Sequence, residues 1–371
     1  MTKRSETAAT PASPLDGFIT EKNGTSFLHR LPILGLCGFS GSGKTTLIEA
    51  VLPQLIGRGL AVAVVKHDAH RVEVDRPGKD SDRFFRAGAD VFLRGDEHFS
   101  RSHVAGVHSL PFLLTDLSRR YDLVLVEGYK HSDLPRIWLT GPEGKPPPAS
   151  ATNILDIYPF AADLPGRLLA FIDDFLRCRQ EQALTCGCIL IGGSSTRMGR
   201  PKQLLTRDGR TWLEHSAGLL AGHVDQLVLC GKGEIPPSLG HLLRLPDAPD
   251  TRGPLAGVLA AMRWAPAADW LVAACDMPCM HSGAISWLLG QRRPGVWAVV
   301  PHTDRPQPLF AWYSRRVRRL FEEESLSPAP RIGGIAGRPR IDSPKVPSHL
   351  AECWANCNRP EDLAGLHLHQ G

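Results

Sequence analysis

An apolar stretch, ILGLC at 33–37, runs directly into GFSGSGKTT at 38–46. That order leaves the chain little freedom. A strand that feeds a glycine-rich turn and then a helix is the opening unit of an α/β layer with a mostly parallel sheet. Gly38, Gly43, Lys44 and Thr45 satisfy the pattern G-x-x-x-x-G-K-[ST] in full. Glycines let backbone N–H groups converge on phosphate oxygens, and a helix N-terminus adds partial positive charge. Phosphate contacts are therefore expected from Gly38, Gly41, Ser42, Gly43, Lys44, Thr45 and Thr46, with Lys44 reaching the β- and γ-phosphates and the Thr45 hydroxyl a ligand for Mg²⁺.

The 371 residues are too many for one core and suit two or more domains. Strand-like runs alternate with helical patterns through both halves. In the first half strands are expected at 33–37, 61–66, 91–93 and 123–126, and helices at 44–56, 81–87, 112–119 and 167–178. The segment 141–150, GPEGKPPPAS, reads as a loop, because consecutive prolines fit neither a central strand nor a helix interior. In the second half strands are expected at 186–191, 226–230, 270–275, 296–300 and 309–313, with helices at 212–220, 255–264, 284–289 and 315–323. The boundary falls near 179–185, giving a flexible tail at 1–30, one domain at 31–180 and another at 186–371. The two halves share architecture, not sequence.

Composition narrows the partners. A formal net charge of +5 fits an anionic ligand and gives no case for a nucleic-acid surface. No run approaches the roughly 18 apolar residues of a membrane span. The N-terminus has early charge but no apolar core behind it, so neither a membrane nor a secretory address is expected; the reading is cytoplasmic. The cysteines number nine, several within strand-like runs, as expected of reduced, buried thiols rather than a disulfide framework or a metal site.

Two carboxylates end strands near the phosphate loop: Asp68 in VVKHDAH and Glu127 in YDLVLVEGYK. Each is either a plain polar strand terminus or a magnesium ligand. His67, His70 and Asp75 read as a solvated loop. The blocks GFSGSGKTTL, VAVVKHDAH, DRPGKDSDRFFRAGAD and YDLVLVEGYK, in that order, resemble the molybdopterin-guanine dinucleotide biosynthesis adaptor family, over about residues 31–178. The resemblance implies a P-loop fold, GTP binding with at most slow hydrolysis, and a helper role beside a partner enzyme.

A second phosphate device follows, of different design: ILIGGSSTRMGRPKQLL at 189–205. No Gly-Lys-Ser/Thr closes it. The paired Gly192 and Gly193 let the backbone wrap a triphosphate, while Arg197 and Lys202 suit charge building on a leaving pyrophosphate. Asp276 ends the apolar run LVAACDMP, where a lone carboxylate suits Mg²⁺ shared with substrate phosphates. RGPLAG places Gly253 at a tight turn into a helix, LPDAPD offers Asp247 for a base or ribose contact, and NCNRPEDL carries Asn356 and Asn358.

Together these blocks resemble molybdenum cofactor guanylyltransferase, a Rossmann-like nucleotidyltransferase of glycosyltransferase-A type, over about residues 186–363. The resemblance implies that Leu190, Ile191 and Gly192 contact GTP, Lys202 phosphate, Asp247 the nucleotide and Asp276 magnesium, with Asn356 and Asn358 facing the pterin or the metal. Three positions depart from the family pattern: Ile191, Pro201 and Arg359; and Gly231 stands where an Asn is usual. Pro201 leans toward a cytidylyltransferase, GPLAG and the Asn-x-Asn pair toward guanine.

The expectation is a fusion, adaptor first and transferase second. It would move GMP from GTP to molybdopterin with Mg²⁺ and release pyrophosphate. A cytidylyltransferase, or a GTP-dependent scaffold with an inactive transferase half, are the alternatives. Expected partners are GTP and molybdopterin, molybdenum-inserting proteins, molybdoenzyme clients, and a second copy through the N-terminal half.

Overall fold

The computed structural model describes residues 27–66, 78–94, 97–101, 109–192, 201–207 and 209–357. The chain divides into two compact α/β units, Leu31–Ile172 and a second that begins at Asp173.

In the first unit, β1 (Ile33–Gly38) leads through the phosphate loop into α1 (Lys44–Gly57), followed by β2 (Val62–Lys66), α2 (Asp80–Arg86), β3 (Val91–Arg94), β4 (His98–Arg101), α3 (Leu110–Ser118), β5 (Leu123–Glu127), β6 (Arg136–Leu139) and β7 (Ile154–Tyr158); α4 (Leu164–Glu181) then begins in this unit and ends in the next. Five strands form one sheet in the order β2-β5-β1-β6-β7, parallel throughout. The continuous apolar runs of β1 and β5 are buried on both faces, as central parallel strands must be. The edge strand β7 alternates in exposure instead.

The expected strand at 91–93 exists, but not in this sheet. It pairs antiparallel with β4 as a separate hairpin. Strands β6 and β7 were not expected. Each has only four or five residues and they flank the proline-rich loop, which itself stays a loop. A strand that short carries too little periodicity to register; its place is fixed by pairing with β1 and its neighbour.

The second unit contains β8 (Thr185–Leu190), a small hairpin of β9 (Thr206–Arg207) and β10 (Arg210–Thr211), α5 (Trp212–Ala221), β11 (Gln226–Cys230), β12 (Leu243–Leu245), α6 (Pro254–Trp264), β13 (Asp269–Ala274), α7 (Ser282–Gly290), β14 (Ala298–Val299), β15 (Phe310–Tyr313), α8 (Arg318–Ser325) and β16 (Ile341–Asp342). Seven strands run in the order β12-β11-β8-β13-β15-β14-β16. The first four are mutually parallel, and β15 runs antiparallel to β13.

The sheet's side chains alternate between two cores. Cys186, Cys188, Val228 and Cys230 pack with Leu255, Val258, Leu259 and Met262 of α6. Ile189, Leu227 and Leu229 pack on the other face with Leu213, Ala217 and Leu220 of α5 and Ile285 and Leu288 of α7. None of the nine cysteines forms a disulfide, and most serve as small buried apolar residues. A capping box of Thr211 and Glu214 starts α5.

In each sheet the strand that bears the phosphate loop is central, and the chain fills one side of it before crossing to the other. β1 lies between β5 and β6, and β8 between β11 and β13. The carboxyl end of such a strand is a crevice, the usual place for a ligand in an open α/β sheet.

Candidate nucleotide sites

The first site is built at the carboxyl end of β1. Gly43 caps α1 with φ 86°, a conformation that side chains resist. A Cβ at Gly38 would stand 2.4 Å from Ser42 Oγ and 2.6 Å from the Leu139 carbonyl oxygen, so the strand can turn there only as glycine. Ser42 is buried under Gly141, whose own Cβ would meet the Ser42 Cα at 3.0 Å. Gly41 and the exposed Thr45 and Thr46 complete the loop and first turn.

Lys44 folds back on that loop, with Nζ donating to the carbonyl oxygens of Gly38 (3.1 Å) and Phe39 (2.8 Å). Burial holds its pKa below the ordinary lysine value. The Thr45 hydroxyl, in the first turn of α1, donates at 2.8 Å to Oε1 of Glu127 at the end of β5, so the two residues expected at a magnesium ion meet. Asp68, with His67, His70 and Asp75, lies outside the described residues.

Sequence reasoning missed the buried cation behind this site. Arg136 of β6 is fully buried and donates to the Leu134 (3.0 Å) and Lys130 (2.7 Å) carbonyls, and also to Ser132. It fastens the loop that follows Glu127 to the sheet. No spacing rule announces it, because its partners are backbone oxygens.

The second site lies at the carboxyl ends of β12, β11, β8 and β13. Gly192 takes φ 111° as β8 ends. The Ile191 amide donates to the Cys230 carbonyl (2.8 Å) and the Cys275 amide to the Leu190 carbonyl (3.3 Å), so the loop is tied to both neighbouring strands. The Cys275 thiol is pushed up to about 12 by burial, and the Gly192 amide points at it.

Lys202 Nζ and Asp276 Oδ2 are 2.9 Å apart, with side chains 18% and 17% exposed. The two candidate groups come from segments 74 residues apart in sequence, and the fold joins them. Leu190, Cys230 and Asp247 converge on Gly257: a Cβ there would meet Leu190 Cδ2 at 2.7 Å, Cys230 Cβ at 3.2 Å and Asp247 Oδ1 at 3.5 Å.

Asn356 arrives by a backbone tie, since the Cys357 amide donates to the Asp276 carbonyl at 3.0 Å. The Asn356 Oδ1 is buried with no hydrogen-bond partner among the described residues. It lines a cavity of about 560 Å³ together with Arg252, Gly253, Arg305, Gln307 and Arg331. Gly253, expected on the nucleotide side, caps α6 with φ 66° and borders this cavity. The arginines escaped sequence reasoning, because they stand on three separated segments that carry no shared motif. Gly193, Arg197 and Asn358 lie outside the described residues.

Among the described residues no group of three or more His, Cys, Asp or Glu side chains could hold a metal. No helix among them is long and apolar enough to cross a membrane.

Comparison with known proteins matches each half of the chain to its own family model. Residues 33–162 match the family model described as molybdopterin guanine dinucleotide synthesis protein B, and residues 187–330 match the MobA-like NTP transferase domain. The molybdopterin-guanine dinucleotide biosynthesis adapter protein of Haemophilus influenzae is 41% identical over 142 residues, which is 36% of this chain and 80% of the relative. A probable molybdenum cofactor guanylyltransferase of Bacillus cereus is 33% identical over 151 residues, 38% of this chain and 76% of the relative. A solved structure of molybdopterin-guanine dinucleotide biosynthesis protein A from Archaeoglobus fulgidus is 25% identical, covering 48% of this chain and 95% of its own, with a TM-score of 0.42. The chain therefore belongs to two families in series, the molybdopterin-guanine dinucleotide adapter family through its first half and the MobA-like guanylyltransferase family through its second.

Proposed function

We propose that residues 186–371 transfer GMP from GTP to molybdopterin and release pyrophosphate, and that residues 31–180 form a GTP-binding P-loop adaptor that assists the transfer. The observation that carries this reading is the Lys202–Asp276 pair, 2.9 Å apart in the crevice beside Gly192. An ammonium and a carboxylate at the end of a central strand suit a reaction that brings two polyanions together.

The nucleophile is the terminal phosphate of the pterin. Its second pKa is about 6, so it is largely ionised at neutral pH and no strong general base is needed. The task left to the chain is positioning and charge. The backbone from Leu190 to Gly193 orients the triphosphate. Lys202, already poised by Asp276, turns its ammonium to the phosphate oxygens, and Arg197 adds a second cation for the departing pyrophosphate. Asp247 contacts the nucleotide. The arginine-lined cavity, with an Asn356 oxygen that has no partner among the described residues, suits an acceptor that carries both heterocyclic N–H groups and negative charge. Asn358 is proposed as a further contact to the pterin or the metal.

Magnesium prefers one or two carboxylates together with substrate phosphates, and does not need a three-residue protein cage. Asp276 in the second half, and Thr45 with Glu127 in the first, fit that donor set. When bound there, the ion neutralises phosphate charge. In the first half Lys44 leaves its loop carbonyls for the β- and γ-phosphates. Fusion raises the effective concentration of one activity near the other. A second copy through the N-terminal half, molybdenum-inserting proteins and molybdoenzyme clients complete the proposed setting, which is cytoplasmic.

The test incubates the protein with molybdopterin, Mg²⁺ and each nucleoside triphosphate in turn and identifies the dinucleotide. The guanine dinucleotide and pyrophosphate in equal amounts are expected. A cytosine product would make the chain a cytidylyltransferase, and no product with any nucleotide would leave a scaffold.

A further inference from the structure

We propose that Arg244 reads the base, by donating from its two Nη groups to the O6 and N7 of guanine, and so selects GTP at the second site. The proposal rests on the nucleotidyltransferase reading above and adds the residue that determines its base specificity.

Three observations converge. First, Gly231 is locked from both sides by β12. Its amide donates to the Leu245 carbonyl at 3.1 Å, and its carbonyl accepts from Arg244 Nε, also at 3.1 Å. The guanidinium is thus fixed at the carboxyl end of β11. Second, position 231 itself can present no side chain. Gly231 takes φ 117°, and a Cβ there would lie 2.0 Å from the Ile191 carbonyl oxygen. The next glycine is equally confined: a Cβ at Gly233 would meet Gln203 Nε2 at 2.7 Å and the Gly192 amide at 3.0 Å. Positions 231 and 233 are therefore bare backbone laid along Gly192, on either side of the exposed Lys232, and a base resting on those two glycines is read by a side chain from a neighbouring position. Third, Asp247 stands at the same end of the sheet, with Oδ1 packed toward Gly257, Leu190 and Cys230. Among the described residues it makes no ion pair with Arg244, so the guanidinium is not spent on it.

Chemistry selects the base. With Nε used on the Gly231 carbonyl, the outer edge of the fork keeps both Nη groups, which have no protein partner among the described residues. Two parallel donors match the adjacent O6 and N7 acceptors of guanine, the pairing most used for guanine wherever proteins read bases. Adenine and cytosine present an exocyclic amino group on that edge. Two donors would then face a donor, leaving a polar group unpaired.

The test compares GTP, 7-deaza-GTP and CTP on the full chain and on Arg244→Ala and Arg244→Lys. Two readings are taken: kcat/KM for dinucleotide formation, and nucleotide binding by titration with Lys44→Ala present in every arm to suppress the first site. Replacing N7 by carbon removes one of the two acceptors. Wild type is expected to lose roughly tenfold with 7-deaza-GTP and more with CTP. In Arg244→Ala the difference between GTP and 7-deaza-GTP should vanish, and Arg244→Lys should restore charge but not that difference. A merely structural role would instead weaken all three nucleotides alike. An unchanged 7-deaza penalty in Arg244→Ala, or no penalty in wild type, overturns the proposal. If no dinucleotide forms with any nucleotide, the transferase reading fails, while the binding series still decides the role of Arg244.

Discussion

Lys202 and Asp276 offer the sharpest test of the second site, through Asp276→Asn, Lys202→Met and the double change. Their 2.9 Å contact lies between the surface and the interior, with both side chains less than a fifth exposed. Exposed pairs contribute up to about 1 kcal/mol, whereas breaking a buried pair costs about 3–5 kcal/mol. Either single change should therefore cost roughly 1–2 kcal/mol, by leaving one charge without its counterion. For a domain of this size that is a melting shift of roughly 2–8 °C. The double change orphans neither charge and should destabilise less than the sum of the single changes. Activity should respond far more. Removing one preorganised charge contact costs roughly 100- to 1,000-fold, and groups acting as one unit lose little more when both go. The assay is dinucleotide formation from GTP and molybdopterin, with melting followed on the same samples. Either single variant retaining more than about a third of wild-type kcat/KM would refute the assignment. So would losses in activity that multiply fully in the double variant.

Three further outcomes are expected. Lys44→Ala removes the ammonium that now donates to the Gly38 and Phe39 carbonyls, so GTP binding to the first half should weaken at least tenfold by titration, and guanylation at limiting GTP should fall; equal activity of the two proteins under all conditions would argue against coupling. Gly231→Ala must shift a backbone contact of 2.0 Å at a positive φ, which should cost roughly 2–4 kcal/mol and lower kcat/KM, and an unchanged melting temperature would count against the packing described. Because the thiolate is the nucleophile, iodoacetamide at pH 8 should label the exposed Cys178 first; burial pushes Cys186 and Cys275 up to about 12, so mass spectrometry should find them modified only after unfolding, and early labelling of Cys275 would contradict its placement.

The sequence by itself determined the local machinery. Glycines with a lysine and a threonine after an apolar strand can do little but form a phosphate loop on a helix N-terminus, and the structure builds that loop at Gly38–Thr45. The same logic made β8 and β13 central, because runs such as TCGCIL and DWLVAA have no polar face to give to water. Local chemistry also placed Asp276 at a strand end and Gly253 at a helix start. What sequence left open was everything set by pairing between distant segments. β6 and β7 are too short to carry a period, and β3 was legible as a strand but not as half of a separate hairpin. Nothing in one dimension says that Arg136 will be sealed among carbonyls, that Arg252, Arg305 and Arg331 will face one cavity, or that Arg244 will be pinned to Gly231. A motif constrains neighbours along the chain through sterics and backbone hydrogen bonding. Strand order and register decide which remote side chains share a crevice, and those exist only once the sheet has closed.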